Sequence, residues 1–130
     1  SPKMEAGNNG GADFWVVRTN SNGDLIWEKT YGGSNNEEAK NIIKLSNGEY
    51  LVVGTTNSND GDVKNPKGKS DGWFIVIDDN GKLLQQKNIG SKDYEVLNNA
   101  IHINGRKYIG IGYSRDQNFN NNIWIEEFKN

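Results

Sequence analysis

An internal repeat is the feature of this sequence that most constrains its fold. The segment 13–17 is matched by the segment 71–75, and the same offset in residue number, which we call the repeat offset, continues along the chain. This offset aligns three glycines with three glycines, and it also aligns apolar residues: Ile26 with Leu84, Tyr31 with Ile89, Ile43 with Ile101, Leu45 with Ile103, Leu51 with Ile109 and Val53 with Ile111. Such a period is typical of folds built from stacked repeating units.

A third copy of the repeat begins near the end of the chain. Trp124 follows Trp73 by an offset that is shorter than the repeat offset, so the connection before the third copy is shorter as well. We divide the chain into an N-terminal tail or linker (1–12), a first repeat (13–70), a second repeat (71–121) and the start of a third (122–130). Residues 1–6 lack the apolar stretch of a signal peptide.

The repeat predicts β-strands joined by hairpins, and no helix. Its Asn-Gly pairs, at 22–23, 47–48, 80–81 and 104–105, suit type I′ turns, in which both central residues have positive φ. No segment shows an apolar period of 3.6 residues with helix caps. The runs that flank the turns predict nine strands, at 14–19, 25–31, 41–45, 50–55, 73–78, 82–89, 99–103, 108–113 and 122–128.

Four antiparallel strands per repeat favour an all-β fold made of β-propeller blades. We expect the third to the sixth strand to lie side by side in that order, with two strands of another blade before them and three after. The chain then holds about two and a quarter blades, whereas closed propellers have roughly four to eight. It would be part of a longer propeller, or copies of itself or a partner would complete it. A two-sheet sandwich or a small barrel is the alternative.

Composition excludes several classes of function. The chain has 15 basic and 17 acidic residues, so it offers no strong basic field for nucleic acid. It has no run of 18 apolar residues that could span a membrane. With no Cys and a single His, His102, it offers no thiol nucleophile and few routes to histidine-based catalysis. Aromatic residues make up 10% of the chain, which indicates a folded protein despite a mean hydropathy of −0.84.

Paired carboxylates do not indicate an enzyme either. Two Glu doublets occur, at 37–38 and 126–127. A glycosidase needs two carboxyl groups that face each other across the substrate. Neighbouring residues on a strand point to opposite faces of the sheet, so neither doublet forms such a pair by itself. Asp13 and Asp71 precede a Trp at equivalent positions, which favours a structural role in a turn.

Four segments (13–17, 22–34, 47–56 and 57–63) carry a resemblance to a family. A Trp-rich strand, the pattern W-x-K-x-Y-G-G at 27–33 and the pattern N-G-x-Y-x-V-x-G at 47–54 are similar to the tandem β-propeller-like repeats of secreted and cell-surface bacterial proteins. The resemblance implies an extracellular or cell-surface location, or the periplasm, and a scaffold or binding role without catalytic residues. The second repeat departs from it, since Gln85 and Ile89 stand at the positions of Trp27 and Tyr31.

Two groups of residues are candidates for binding. Trp27 and Tyr31 lie on one predicted strand, where they could contact a protein partner, stack on a sugar or seal the edge of a blade. One loop crowds oxygen ligands around Gly61 at short spacing, as a Ca²⁺ site would: Asn57, Asn59, Asp60 and Asp62. The spacing is not that of an EF-hand, and we favour a polar loop in which these side chains form Asx turns. The three Trp at equivalent positions, Trp15, Trp73 and Trp124, are expected in the core.

The sequence therefore predicts a non-catalytic scaffold or protein-binding module of a bacterial surface or secreted assembly. We expect no cofactor, except for Ca²⁺ if the candidate ligands bind it. A protein partner, or self-association, would complete the sheets by contact at an edge strand or a blade face. The alternative is a carbohydrate-binding lectin assembled from chains of few blades.

Overall fold

A computed structural model describes residues 9–129, which form nine strands and no helix. The strands are β1 (Phe14–Thr19), β2 (Leu25–Tyr31), β3 (Glu37–Lys44), β4 (Tyr50–Thr56), β5 (Asp71–Ile77), β6 (Leu83–Ile89), β7 (Tyr94–Asn104), β8 (Lys107–Arg115) and β9 (Asn121–Lys129). The all-β prediction and the number of strands are confirmed. Most of the N-terminal tail assigned to residues 1–12 lies outside the described residues.

The strands form three antiparallel sheets, which we call the first, second and third sheet. Their strand orders are β1-β2, β3-β4-β5-β6 and β7-β8-β9. The division into two, four and three strands, and the order within the second sheet, are those that the repeat predicts. All three sheets are open within residues 9–129, so the described chain does not form a closed barrel.

Two strands begin several residues earlier than the sequence predicts. β3 starts at Glu37 and β7 at Tyr94, although the apolar pattern begins only at 41 and 99. A register shift between Ala39 and Asn41, and another between Leu97 and Asn99, mark a bulge at equivalent positions of the two repeats. Because a bulge breaks the alternation of faces, the first half of each strand lacks the period of two that reveals a strand.

The Asn-Gly turns are not of type I′, so that prediction is wrong. The glycines have positive φ, for example 85° at Gly23 and 77° at Gly81, but among the described non-glycine residues only Asn65 and Phe119 do. The Gly23 amide donates to the carbonyl of Asn20, and the Asn20 amide donates to the carbonyl of Asp24. The connection is therefore longer than two residues, and a type I turn followed by a left-handed glycine closes it.

The core consists of two layers, one on each face of the second sheet. β5 is buried along its whole length because both of its faces are covered. Toward the third sheet, apolar side chains of β4 and β5 pack against that sheet, and the layer includes Leu51, Val53, Phe74, Val76, Leu97, Tyr108 and Phe128. Toward the first sheet, the layer includes Phe14, Tyr31, Val52, Trp73, Ile75 and Ile77. The sheets thus stack in chain order with the second in the middle.

The three equivalent Trp side chains differ in burial. Trp73 is completely buried between the first and second sheets, and Trp124 is partly buried against the other core layer. Trp15 is 46% exposed, so the expectation that it lies in the core is wrong. Trp15 lies on the outer face of the first sheet, at one end of the stack, and no described sheet covers this face. Its indole nitrogen donates to Glu28 at 2.9 Å, as that of Trp73 donates to Gln86 at 3.0 Å.

Equivalent backbone hydrogen bonds join successive sheets. The amide of Glu37, at the start of the second sheet, donates to the carbonyl of Ala12 at 2.6 Å. The amide of Glu95, at the start of the third sheet, donates to the carbonyl of Ser70 at 2.9 Å. The repeat offset separates the two donors and also the two acceptors, so these contacts between sheets repeat with the sequence.

Candidate functional site

Trp27 and Tyr31 connect the first sheet to the turn between β5 and β6. The Trp27 indole nitrogen donates to the carbonyl of Asp79 at 3.1 Å, and the Tyr31 hydroxyl donates to the carbonyl of Gly81 at 2.5 Å. Tyr31 is only 4% exposed, and burial raises the pKa of its hydroxyl to about 12. A partner could not stack on Tyr31 while the sheets stay packed. Trp27 remains half-buried, so of the two candidates only Trp27 offers accessible surface.

The candidate Ca²⁺ loop uses its oxygens to hold the chain segment 32–36. Asp60 accepts a hydrogen bond from the amide of Ser34 at 2.7 Å, and Asp62 accepts one from the amide of Gly32 at 3.0 Å. The bond from Ser34 lowers the pKa of Asp60. Asn57 accepts a bond from the amide of Asn36 at 2.8 Å. Backbone amides thus occupy oxygens that a cation would need, and these side chains bond the segment 32–36 instead of forming the expected Asx turns.

Metal-ligand groups are not found elsewhere in the described part of the chain. Within residues 9–129, no three His, Cys, Asp or Glu side chains come together as a metal site would require. Asn59 lies in the same loop as Asp60. Among the described residues, no contact places its side chain beside another candidate ligand. The single histidine, His102, is half-buried, packs against the ring of Tyr108, and has its Nε2 2.9 Å from the carbonyl of Gly105.

A buried carboxylate closes the junction between the first and second sheets. Glu37 is fully buried, and it accepts hydrogen bonds from the Thr56 hydroxyl at 2.6 Å and the Gly33 amide at 2.9 Å. Asp13 lies beside it, and burial together with the charge of Glu37 raises the pKa of Asp13. A side chain at Gly32 would collide with both carboxylates. Both oxygens of Glu37 accept hydrogen bonds that join the segment 32–33 and β4, which favours a structural role.

The equivalent junction of the second repeat contains Glu95 and Asp71. Glu95 is fully buried, and one of its oxygens accepts a hydrogen bond from the Ser91 hydroxyl. Asp71 accepts bonds from the amides of Lys67 and Gly68 and from the side chain of Asn88. Sequence reasoning missed Glu37 and Glu95 as a pair. They are separated by the repeat offset, as Asp13 and Asp71 are, and this was the signal that could have found them.

The third sheet exposes an apolar face. Ile111 and Ile125 lie opposite each other on β8 and β9, and they are 46% and 63% exposed. The equivalent pair in the second sheet, Val53 and Phe74, also lies face to face and is completely buried under the third sheet. The third sheet thus has an apolar face like that of the second sheet, but no described part of the chain covers it.

Comparisons with known proteins leave the family open. No protein-family model matches the chain, and no curated protein matches it. Residues 9–129 contain no helix that could cross a membrane.

Proposed function

We propose that the chain is a non-catalytic scaffold or protein-binding module of β-propeller type, working in a surface or secreted assembly of a bacterium. The observation that carries the proposal is the exposed Ile111–Ile125 pair, which occupies positions that are fully buried in the preceding repeat. An apolar patch on a folded protein marks a contact surface. A further sheet of the same kind, supplied by a copy of the chain or by a partner, would pack on this face.

The arrangement of the sheets supports the propeller interpretation. Successive sheets come close at β3 and β7, the first strands of their blades in the predicted order. There the Asn41 side chain donates to that of Asn99 at 2.5 Å, and the two residues are equivalent positions of the repeat. In a propeller, the innermost strands of neighbouring blades approach each other around the axis. The extracellular location rests on the sequence resemblance.

The absence of an assembled acid–base site among the described residues favours binding over catalysis. The carboxylates that come together, Asp13 with Glu37, lie at a sheet junction, where Glu37 is buried and accepts bonds from Thr56 and Gly33. The remaining candidates for chemistry, Asp60 and Asp62, bind backbone amides of their own repeat. What the surface offers instead is apolar area at the end of the stack.

Light scattering tests this proposal. We expect a mass above that of a 14.5 kDa monomer, and we expect Ile111→Lys to lower it because a charge would be buried in the contact. Leu84→Lys, at another exposed apolar position on β6, is the matched control and should leave the mass unchanged. A well-folded monomer at high concentration, for the natural chain and both variants, would contradict completion by copies of the chain.

A lectin is the second candidate, and a groove between the first and second sheets favours it. Trp27 and Tyr50 line this groove together with Arg18 and Ile42. Aromatic rings beside a polar group are a common surface for stacking a sugar. Screening against a glycan array tests it, with Trp27→Ala as the variant that should lose binding. No bound glycan, or unchanged binding by the variant, would exclude this groove.

A further inference from the structure

The core layer between the second and third sheets contains a contact whose two halves recur on the surface. The second sheet contributes Val53 and Phe74 to this layer, and all atoms of both side chains are buried. The third sheet contributes Leu97 and Ala100 from its first strand, β7, and both are buried as well. We call this packing of one sheet's face on the next sheet's first strand the sheet contact.

Each half of the sheet contact has an exposed counterpart at equivalent positions of the repeat. On the third sheet, Ile111 holds the position of Val53 and is 46% exposed. On β3 of the second sheet, Ile42 holds the position of Ala100 and is 49% exposed. The chain thus buries this contact once and leaves one further copy of each half uncovered by any described residue.

Ile42 lies in a groove between β1 and β3. The groove has a volume of about 370 Å³, and its lining includes Trp15 and Val17 of β1 and Val52 of β4. Between the second and third sheets, β4 lies over β7 at the equivalent place. The groove therefore has the position of a strand like β4 that would pair with β1.

The edge of β1 along this groove is open. In the other two sheets the equivalent Trp lies opposite a glycine of the neighbouring strand, Trp73 opposite Gly54 and Trp124 opposite Gly112. Among residues 9–129, no strand pairs with β1 on this side. Because β1 and β9 hold the same place in the repeat, β8 of a second copy can pair with β1 as it pairs with β9, with Gly112 opposite Trp15.

Charge decides which of the two equivalent strands, β1 or β9, stays in such a sheet. Arg18 of β1 forms an ion pair with Asp79 at 2.7 Å. In β9, Glu127 holds the position of Arg18, and Glu126 holds the position that lies opposite Glu28 of β2. With β9 in place of β1, like charges would meet at both points, which is unfavourable. The shared sheet should therefore keep β1 beside β2 and release β9.

Pairing with β8 would also cover the outer face of β1. Trp15 would take the place of Trp124 against the second sheet of the other copy, and Val17 would take the place of Glu126. Both side chains are substantially exposed in the separate chain, at 46% and 39%. The exchange gives up the burial of Phe128, which leaves with β9.

A side-chain hydrogen bond between inner strands would continue from copy to copy. The Asn41 side-chain nitrogen donates to the Asn99 oxygen at 2.5 Å, and the same oxygen accepts from the Ala100 amide. The Asn41 oxygen accepts from the Ile42 amide. Within residues 9–129, nothing accepts a bond from the side-chain nitrogen of Asn99. Where the sheet contact forms between copies, this nitrogen meets Asn41 of the next copy.

We propose that copies of the chain form a closed ring by strand exchange. β7 and β8 of one copy form a four-stranded sheet with β1 and β2 of the next, β9 is released, and Ile111 packs on Ile42 of the next copy. Each copy then supplies about two blades, so about two to four copies give the four to eight blades of a closed propeller. The exchange rests on the proposed function and names its partner, a second copy. The sheets described above are those of the separate chain.

An engineered disulfide tests whether β8 pairs with β1 of another copy. The chain has no Cys, so Val16→Cys with Ile111→Cys introduces one defined pair. These residues are opposite in the exchanged sheet, as Phe74 and Val53 are in the second sheet, and opposite residues are within reach of a disulfide. Within one chain the second sheet separates them. We expect disulfide-linked multimers on a non-reducing gel after mild oxidation. Leu84→Cys with Ile111→Cys, the matched control, should give none, because Leu84 is exposed on β6.

A second disulfide tests the release of β9. Ile111 and Ile125 lie opposite each other in the third sheet, so Ile111→Cys with Ile125→Cys can fix β9 to β8 within one chain. Light scattering of the natural chain should give a fixed multiple of 14.5 kDa that does not grow with concentration, because the ring closes. We expect the oxidised double variant to be a monomer, and reduction to restore the ring.

Mixing two variants tests whether Ile111 of one copy meets Ile42 of another. Ile111→Lys and Ile42→Lys should each lower the mass, because every junction would bury a charge. A mixture of the two retains one undamaged junction, so its mass should exceed that of either variant alone. No increase on mixing would show that the two residues do not meet, and the exchange would be wrong.

The outcomes separate the exchange from the proposed function. If the natural chain self-associates but the oxidised Ile111→Cys with Ile125→Cys variant keeps the same mass, or Val16→Cys with Ile111→Cys forms no links between chains, the exchange is overturned and self-association stands. A natural chain that stays monomeric at high concentration overturns the exchange and contradicts completion by copies as well.

Discussion

Two aspartates at equivalent positions of the repeat have different surroundings. Asp13 and Asp71 both stand before a Trp strand, and each accepts a hydrogen bond from the amide four residues earlier, at 2.7 Å in the first repeat and 2.6 Å in the second. Asp71 accepts two further bonds, from Gly68 and Asn88. One oxygen of Asp13 is buried without a partner, and Glu37 lies beside it. The same residue is thus well satisfied in one repeat and poorly satisfied in the other.

This difference predicts opposite effects of Asp→Asn at the two positions. Burial raises the pKa of Asp13 above its ordinary 3.8, so the folded protein favours the protonated form. The stabilisation from Asp13 is therefore fully present below pH 3.8 and is lost as the pH rises through the folded-state pKa. At neutral pH, Asp13→Asn should be neutral or stabilising. Asp71→Asn should cost roughly 1–3 kcal/mol, because an amide oxygen cannot replace all the carboxylate's bonds.

Urea unfolding of both variants between acid and neutral pH provides the measurement. The free energy of unfolding of Asp13→Asn, relative to the natural chain, should rise as the pH increases from acid to neutral. Asp71→Asn should be the less stable variant at neutral pH. Equal losses for the two variants at neutral pH would show that Asp13 is no less well accommodated than Asp71.

At the scale of the element, the bulges of β3 and β7 explain two repeated glycines. Gly54 pairs with Ala39 and Gly112 pairs with Leu97, in each case directly at the register shift. The bulge moves a carbonyl of the neighbouring strand toward the glycine, that of Glu38 in one repeat and that of Val96 in the other. A side chain at either glycine would overlap this carbonyl. The bulged strand therefore requires a glycine at the paired position of its neighbour.

Substitution of Gly112 tests this dependence. Gly112→Ala should destabilise the protein by roughly 1–3 kcal/mol, because its Cβ would meet backbone that cannot rotate away. Gly105→Asn is the matched control: the turn has open space around it and a φ of 48°, which Asn tolerates, so the change should stay within about 0.5 kcal/mol. Thermal unfolding measures both. A Gly112→Ala variant as stable as the control would show that β7 shifts freely.

The elements also show what the sequence could and could not predict. The repeat offset predicted the number of strands and the order within the second sheet, because apolar and glycine positions recur wherever a strand packs between sheets. It missed the first halves of β3 and β7, where the bulge hides the alternation. At the site, the sequence singled out Tyr31 without showing its burial, since the turn at 78–81 that covers it is distant along the chain. Such a contact depends on how the sheets stack.

At the scale of the whole molecule, the three sheets form a row in which only the second has two described neighbours. The first sheet has two strands and touches the rest through one face. An isolated pair of strands is at best marginally stable in water. In folds built from repeating units, each unit depends on contacts with its neighbours alone, so stability differs along the chain. Arg18 helps to hold the first sheet, through an ion pair with Asp79 at 2.7 Å.

Hydrogen exchange should therefore distinguish the sheets. We expect the slowest exchange in β4 and β5, which are covered on both faces, and the fastest among the strands in β1 and β2. Arg18→Ala should speed exchange of β1 and β2 by roughly fivefold, which corresponds to about 1 kcal/mol for a partly exposed ion pair. It should leave β7 to β9 unchanged, because the second sheet lies between. Lys107→Ala, which removes the ion pair with Glu127 in the third sheet, should show the reverse pattern. If both variants speed exchange in all three sheets equally, the described chain unfolds as one unit, and the independence of its sheets is disproved.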